Sequence, residues 1–249
     1  MEGRKLRSLG LFGFGAFGKL VAREMGAHFD ITVCDPTYIG AVLEDGRAFA
    51  MGDIEDVAGC NIVVLAVPVA RMAHLCACMA PHLRPGTLVV DVGSVKLAPM
   101  RAMATHLPEH VEIVGTHPLF GPQSAASGIA GRKIALCPLR GNRWRRVARF
   151  LRRLGLEVIV TSAEDHDREA AMVQGLTHLI AKVLVEMGPL PERMTTASFD
   201  LLREAVGMVK DDPPTVLHAI ETANPFAAEV RGAFFERAER VRKQFEREG

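Results

Sequence analysis

The sequence predicts an α/β fold in which a doubly wound, mostly parallel sheet is followed by an all-α C-terminal domain. Short apolar runs alternate with helical patterns over about the first 160 residues, which is typical of parallel strands covered by helices on both faces. After Thr161 only helical spacing remains. We therefore expect two domains, 1-161 and 162-249.

The predicted strands are short runs rich in β-branched and aliphatic residues, namely Ser8–Phe12, Ile31–Cys34, Asn61–Ala66, Thr87–Val92, Val111–Val114, Lys133–Cys137 and Glu157–Val160. Apolar residues spaced by three and four positions predict helices between several of these strands, as in Lys19–Met25 and Ala70–Met79. The same criterion, with glycine and proline as stop signals, predicts C-terminal helices over Asp165–Met187, Thr196–Lys210 and Thr215–Thr222, and a last one that starts at Pro225.

A glycine-rich loop follows the first strand and precedes a helix, with the residues Gly13, Phe14, Gly15, Ala16, Phe17 and Gly18. In this G-x-G-x-x-G pattern the first glycine permits a tight turn and the second lets the backbone approach a pyrophosphate. The third allows the helix to pack closely on the strand, while the helix N-terminus stabilises the anion. Together with Asp35 at the end of the next strand, the loop predicts a Rossmann dinucleotide-binding domain.

Asp35 also bears on the choice of cofactor. An acidic residue at this position can bind a ribose 2′-hydroxyl and repels a 2′-phosphate. No arginine follows in Pro36-Thr37-Tyr38. The sequence therefore favours NAD over NADP.

Two further motifs follow later strands, at the edge of the sheet where open parallel sheets bind ligands. One is Asp91-Val92-Gly93-Ser94-Val95-Lys96, and the other is Gly115-Thr116-His117-Pro118-Leu119-Phe120-Gly121-Pro122. We expect His117 to lie in a loop directly after its strand, where a histidine suits a base near a nicotinamide, with Ser94 at the mouth of the neighbouring strand.

Composition excludes several classes of protein. Thirty basic and 29 acidic side chains leave a net charge of +1, which does not favour a nucleic-acid or anionic-membrane partner, and no apolar run approaches the roughly 18 residues of a membrane span. Five cysteines are an odd number, so we expect reduced thiols and a cytoplasmic protein. Cys76 and Cys78 would point apart on a helix, and no metal site is predicted.

Taken in order, these motifs resemble those of the prephenate and arogenate dehydrogenases of tyrosine biosynthesis. The resemblance rests on the glycine loop, on Ala66-Val67-Pro68, on Gly93-Ser94-Val95-Lys96 and, most specifically, on the His117 motif. It is completed by Glu164-Asp165-His166-Asp167 and by Thr177-His178.

The resemblance implies a catalytic base at His117, hydrogen-bonded to Ser94, near the hydroxyl of a prephenate-like cyclohexadienol. It places Ser94, Val67 and Pro68 with the glycine loop around the cofactor, and it implies a homodimer through the C-terminal helices. The polar residues available to the substrate are Lys96, Gln123, Ser124, Thr177, His178 and Arg203. For His178, a buried histidine satisfied within a helical core is the alternative.

One position departs from the family pattern. The family commonly presents an arginine to a substrate carboxylate from the segment that corresponds to Ser198–Val206. Here Asp200 stands at that position and Arg203 follows about one turn later. The resemblance favours NAD-dependent oxidative decarboxylation of prephenate or arogenate, with 4-amino-4-deoxyprephenate as the alternative substrate.

Two other functions remain as alternatives. A dehydrogenase of the β-hydroxyacid type would use a lysine on the long interdomain helix, where Lys182 is the candidate. A non-catalytic NAD-binding module would bind the cofactor without turnover.

Overall fold

The computed structural model describes residues 7–248. Residues 1–6 and 249, which belong to the predicted domains 1-161 and 162-249, lie outside the described residues. The chain divides into two units, one that ends at Ala163 and one that begins at Glu164. The predicted boundary at residue 161 lies two positions before this division.

A nine-stranded sheet forms the first unit, in the spatial order β3-β4-β2-β1-β5-β6-β7-β8-β9. Its strands are β1 (Arg7–Phe12), β2 (Phe29–Cys34), β3 (Ala41–Val42), β4 (Ala48–Met51), β5 (Ile62–Leu65), β6 (Leu88–Asp91), β7 (Glu112–Pro118), β8 (Lys133–Arg140) and β9 (Glu157–Val160). Its helices are α1 (Ala16–Met25), α2 (Ile54–Ala58), α3 (Val69–Met79), α4 (Leu97–His106) and α5 (Trp144–Arg153), with a 3₁₀ turn at Ala80–His82.

The six central strands, from β4 to β7, are parallel to one another and have the order of a doubly wound dinucleotide-binding sheet. From β1 the chain adds strands towards one edge of the sheet, and from β5 it adds them towards the other. This change in strand order creates a crevice at the carboxyl ends of β1 and β5. This architecture confirms the predicted fold class. Strands β3 and β8 are antiparallel to their neighbours β4 and β7.

Helices cover the two faces of the sheet unequally. Side chains of α2, α3 and α4 pack on one face around Phe12, Val63 and Val89. On the other face α1 packs near Leu9 and Leu11, and α5 packs near Val114 and Leu136. The continuous apolar runs of β5 and β6 are accordingly buried on both sides.

One prediction about local structure was wrong, and one pair of strands was not predicted. Strand β7 extends to Pro118 instead of ending at Val114, so His117 lies within a strand and pairs opposite Ala135 of the antiparallel β8. The pair that was not predicted is β3 and β4, which are antiparallel and lie at the edge of the sheet.

The second unit is helical. It comprises α6 (Ala163–Ala170, which starts at the boundary), α7 (Leu176–Glu186), α8 (Ala197–Val209), α9 (Pro214–His218) and α10 (Ala227–Glu248). A π-helical segment, Ala171–Gly175, joins α6 to α7, and a second one, Ala219–Ala223, follows α9. Thr196 caps α8, since its hydroxyl accepts a hydrogen bond from the Phe199 N–H at 3.3 Å.

Several contacts hold this unit together. The two π-helical segments contact each other and α10, and α7 packs on α8. Buried Asn224 donates from its side-chain amide to the Asp167 carbonyl oxygen at 2.7 Å. Within residues 7–248, no helix combines the length and the apolar composition that crossing a membrane requires.

Candidate functional site

The glycine loop occupies the crevice between β1 and β5. Gly13 has φ +93°, and a side chain there would collide with the Ala66 carbonyl oxygen, while one on Gly18 would collide with the Gly13 carbonyl oxygen. Both glycines are therefore required by the fold of the loop itself. Gly15 differs, because a Cβ atom there would meet no heavy atom within 4 Å.

The open space at Gly15 lies at the start of α1. Gly15 is the N-cap of this helix, no side chain caps it, and its first turn carries no acidic residue. The free backbone N–H groups and the positive end of the helix dipole therefore favour an anion at this point. The loop fits the pyrophosphate of a dinucleotide, as the sequence predicts.

Asp35 lies one residue beyond β2, beside this loop. Its Oδ2 accepts a hydrogen bond from the Phe14 N–H at 2.7 Å, and its Oδ1 accepts from the backbone N–H and hydroxyl of Thr37 at 2.8 and 2.6 Å. Partial burial raises the pKa of Asp35. The hydrogen bonds lower it by more than burial raises it, so the pKa lies below its ordinary value. The carboxylate is thus held ionised and oriented next to the glycine loop.

Val67 and Pro68 follow β5 on the other side of the crevice. The Ala66 N–H donates to the Phe12 carbonyl oxygen at 2.8 Å, which ties the two strand ends together. Val67 is half-buried, and exposed Pro68 is the N-cap of α3. Val67 lies beside the glycine loop, because a Cβ atom on Gly13 would be 3.3 Å from Val67 Cγ1.

A buried ion pair links the ends of β6 and β7. The Lys96 ammonium donates to Asp91 Oδ2 and, at 2.6 Å, to the Thr116 carbonyl oxygen, and both charged side chains are fully buried. The Thr116 hydroxyl donates back to the Asp91 carbonyl oxygen at 2.7 Å. We expected Lys96 to contact the substrate. Within the first unit its ammonium instead binds Asp91 and the carbonyl oxygen of Thr116, the residue directly before His117.

Gly115 makes room for this arrangement. A Cβ atom on Gly115 would lie 2.7 Å from the Met100 sulfur and 3.2 Å from Lys96 Cδ. A larger residue would force Met100 to shift and would crowd the lysine stem. Gly93 helps to hold Asp91 in place, because the Gly93 N–H donates to Asp91 Oδ2 at 3.0 Å.

Ser94 and His117 lie at the same edge of the sheet. Ser94 is the third residue after the end of β6, and His117 is the penultimate residue of β7. The two strands are hydrogen-bonded neighbours, with Asp91 opposite Gly115. His117 is 4% exposed, whereas Ser94 is half-buried. The structure thus brings the two predicted catalytic residues to adjacent strand ends.

Gln123 and Ser124 lie in the turn after the His117 motif. Gln123 is exposed. The Ser124 hydroxyl donates to the Gly121 carbonyl oxygen and accepts from the Gly121 N–H, both at 3.1 Å. Ser124 therefore closes its own turn, and Gln123 has the more accessible polar group of the two.

His178 lies on α7 in the second unit and is 7% exposed. Its Nδ1 lies 2.9 Å from the Gln174 carbonyl oxygen, and its Nε2 lies 3.0 Å from Asp212 Oδ2. Each ring nitrogen therefore has a polar partner within the helical unit. His178 has the contacts of a satisfied histidine within the helical unit.

The remaining predicted residues of the second unit are more exposed. The Thr177 hydroxyl donates to the Val173 carbonyl oxygen at 2.7 Å. Arg203 lies 3.5 Å from a Glu192 carboxylate oxygen and 3.7 Å from one of Asp200. Lys182, the residue on which the β-hydroxyacid alternative depends, is exposed on α7.

Asp91 and Thr116 lie within the sequence motifs described above, but neither was predicted to have a role of its own. The signal was present for Asp91, because an aspartate that ends the apolar run Leu88-Val89-Val90 requires a buried partner. Lys96, five positions later, is the cation that satisfies it. Thr116 carries no comparable signal.

Comparison with known proteins identifies the family. Residues 23–160 match the family model described as prephenate dehydrogenase, nucleotide-binding domain. The match includes Asp35, Ser94 and His117. The glycine loop precedes the matched range, so its assignment rests on its own geometry.

Similar proteins span most of the chain. It is 31% identical over 220 residues to a probable arogenate/prephenate dehydrogenase of Methanocaldococcus jannaschii, covering 83% of this chain and 49% of that protein. It is 29% identical over 221 residues to a cyclohexadienyl dehydrogenase of Zymomonas mobilis, covering 82% and 74%. The chain thus spans about half the length of the first relative.

A solved structure shares the fold. Prephenate dehydrogenase from A. aeolicus, crystallised with hydroxyphenyl propionate and NAD+, superimposes with a TM-score of 0.77 at 21% identity, covering 99% of this chain and 93% of that one. Since the family model matches more than half of the chain, we conclude that the chain belongs to the prephenate dehydrogenase family.

Proposed function

We propose that the chain catalyses the NAD-dependent oxidative decarboxylation of prephenate or arogenate, a step of tyrosine biosynthesis. One observation carries the proposal. A glycine loop that fits a pyrophosphate, with an ionised Asp35 beside it, lies at the same edge of the same sheet as the buried His117. A nucleotide site and a candidate base at the carboxyl ends of parallel strands are what a nicotinamide-dependent dehydrogenase requires.

In the proposed reaction His117 accepts the proton of the substrate hydroxyl, and Ser94 orients the histidine or the hydroxyl by a hydrogen bond. NAD, when bound, supplies the acceptor for the hydride that leaves the same carbon. Loss of the ring carboxylate as carbon dioxide makes the ring aromatic, and this aromatisation drives the reaction. The protein therefore has to position the substrate, remove one proton and bind an anion.

The contacts of Lys96 support a positioning role in this scheme. Its ammonium holds the Thr116 carbonyl oxygen, one residue before His117, at the end of β7. Gln123, Ser124, Thr177, His178 and Arg203 stay as proposed substrate contacts, and the accessible amide of Gln123 has the fewest competing partners among the first-unit candidates.

The test is replacement of His117 by Asn, which keeps a polar group but cannot take the proton. We expect kcat with prephenate or arogenate and NAD to fall about 10²–10⁴-fold, with the Kd for NADH nearly unchanged. His106→Asn is a matched control, because His106 is exposed at the far end of α4. Retention of most of the kcat by His117→Asn would contradict the assignment of the base.

We also propose a cytoplasmic homodimer that forms through the second unit. The five cysteines form no disulfide, which supports a reducing compartment. Phe226, Val230 and Phe234 are half-buried, but Val241 and Phe245 on the same stripe are 47% and 70% exposed. Exposed apolar side chains of this kind favour a partner surface.

The assembly is tested by light scattering at micromolar concentration. The wild type should have the mass of a dimer, and Val241→Glu with Phe245→Glu should shift it to the monomer because the new charges would be buried at the interface. Gln244→Glu adds a charge to an exposed position on the same helix and should leave the dimer intact. A monomeric wild type would refute the proposal.

A further inference from the structure

An apolar cavity of about 290 Å³ lies under the sheet of the first unit, between α1 and α5. Its floor is formed by inward-facing side chains of β5 and β6, among them Val64, Leu88 and Val90, and its walls by Val21 of α1 and by Val147 of α5. The site of Ser94 and His117 is not part of this lining.

The topology explains why residues 7–248 do not fill this space. The connections that flank β5 and β6 place α2, α3 and α4 on the opposite face of the sheet. On the near face α1 covers β1 and β2, and α5 covers the strands from β7 to β9. The floor between them carries only aliphatic side chains, which are too short to reach both helices.

Three arginines line the same cavity. Arg7 begins β1, and Arg143 and Arg146 lie at the start of α5. Burial lowers the pKa of Arg143; Glu112 opposes this, and the positive charges of Arg7 and Arg146 lower the pKa further. The Arg143 guanidinium therefore lies within electrostatic range of both Arg7 and Arg146.

The acidic residues near these arginines are already engaged. Glu24, which also lines the cavity, accepts a hydrogen bond from Arg23 at 2.9 Å. Glu112 accepts from the Arg143 backbone N–H at 2.7 Å. Arg143 itself donates to the Gly86 carbonyl oxygen. Because Glu112 offsets only one of the three guanidinium charges, positive charge is in excess at one part of an otherwise apolar cavity.

We propose that this cavity binds a small monocarboxylate with an apolar tail, its tail between α1 and α5 and its carboxylate at Arg7, Arg143 and Arg146. The size is suitable, because an apolar cavity of about 150 Å³ holds benzene and this one is roughly twice as large. Arginine pairs with carboxylates through charge-assisted hydrogen bonds.

An occupant of this cavity would touch segments of the candidate site from behind. Phe17 of the glycine loop, and Thr116 and Pro118 on either side of His117, contribute to the lining. Because side chains alternate along a strand, His117 faces the opposite side of the sheet. The proposed ligand therefore does not compete for the face on which His117 would act.

Isothermal titration calorimetry with decanoate tests the proposal, with decanol as the uncharged counterpart. We expect one decanoate per chain and weaker binding of decanol. Arg146→Gln should raise the Kd for decanoate about threefold, as for an exposed ion pair, and Arg7→Gln with Arg146→Gln about tenfold. Arg149→Gln is the matched control, because Arg149 lies on the same helix outside the lining and should leave the Kd unchanged.

Val147→Trp should abolish binding by filling the cavity, with its folding checked by circular dichroism and by the Tm. The arginine variants change exposed side chains and keep the test decisive if Val147→Trp does not fold. The absence of binding, an unchanged Kd in folded Val147→Trp, or equal weakening by Arg146→Gln and Arg149→Gln would each overturn the proposal. Binding at the His117 site would leave all of these variants like the wild type.

Discussion

Replacement of Lys96 by Met should destabilise the first unit strongly. Met has a similar length but no charge, so the substitution leaves the Asp91 carboxylate buried without its cation. It also removes the donor to the Thr116 carbonyl oxygen. Because both members of the ion pair are fully buried, solvent cannot replace the lost partner.

Removal of one partner from a buried ion pair costs about 3–5 kcal/mol, a large fraction of the roughly 5–15 kcal/mol by which domains are stable. A second substitution separates this charge effect from simple loss of packing. Asp91→Asn combined with Lys96→Met removes the buried charge, while the amide oxygen that replaces the carboxylate can still accept from the Gly93 N–H. The double variant should regain about 1–3 kcal/mol relative to Lys96→Met alone.

Urea denaturation followed by tryptophan fluorescence measures these differences, because Trp144 is the one tryptophan of the chain and lies in the first unit. Lys133→Met removes an exposed lysine and should change the free energy of unfolding by less than about 0.5 kcal/mol. If Lys96→Met were as stable as Lys133→Met, or if the double variant were less stable than the single one, the ion-pair argument would be wrong.

The remaining predictions concern the nucleotide loop. Gly15→Ala should raise the Kd for NADH at least tenfold. The free energy of unfolding of this variant should change by less than about 1 kcal/mol, since the space at Gly15 is open. Gly13→Ala should lower the free energy of unfolding by about 1–3 kcal/mol, because Gly13 has a positive φ. Asp35→Ser should narrow the preference for NAD over NADP in kcat/KM about tenfold, and an enzyme that prefers NADP would refute this role of Asp35. Since the pKa of Asp35 is lowered from 3.8 by folding, its stabilising contribution is complete well above pH 3.8 and is lost as the pH falls below that value, so the difference in unfolding free energy between wild type and Asp35→Asn should shrink in that range.

The glycine loop and Asp35 could be predicted from the sequence because their roles depend on local backbone geometry. A tight turn at positive φ requires glycine, and the spacing to the next strand end brings an acidic residue beside it. The strands β5 and β6 were equally accessible to prediction, since burial on both faces demands continuous apolar runs.

The structural features that were not predicted from the sequence depend on tertiary contacts. His117 lies in a strand because β8 pairs with β7 as far as Pro118. Since β8 comes later in the chain, this pairing cannot be recognised from the residues around His117 alone. From the sequence, Lys96 was predicted to be a polar residue of a ligand-binding motif. The fold shows that its ammonium is buried and binds Asp91. The pair β3 and β4 was missed because two- and four-residue strands are too short for a recognisable alternation.

The π-helical segment Ala171–Gly175 bears on how the second unit tolerates changes in chain length. A π turn holds one residue more than the α turn that it replaces. Deletion of a single residue from this segment can therefore convert it to an ordinary turn while α6 and α7 keep their positions, and His178 would still face Asp212. The same deletion in α8, which has no such widened turn, would rotate every later residue of the helix by about 100°. Length variation among related chains should thus be accepted within residues 171–175 and rejected within α8.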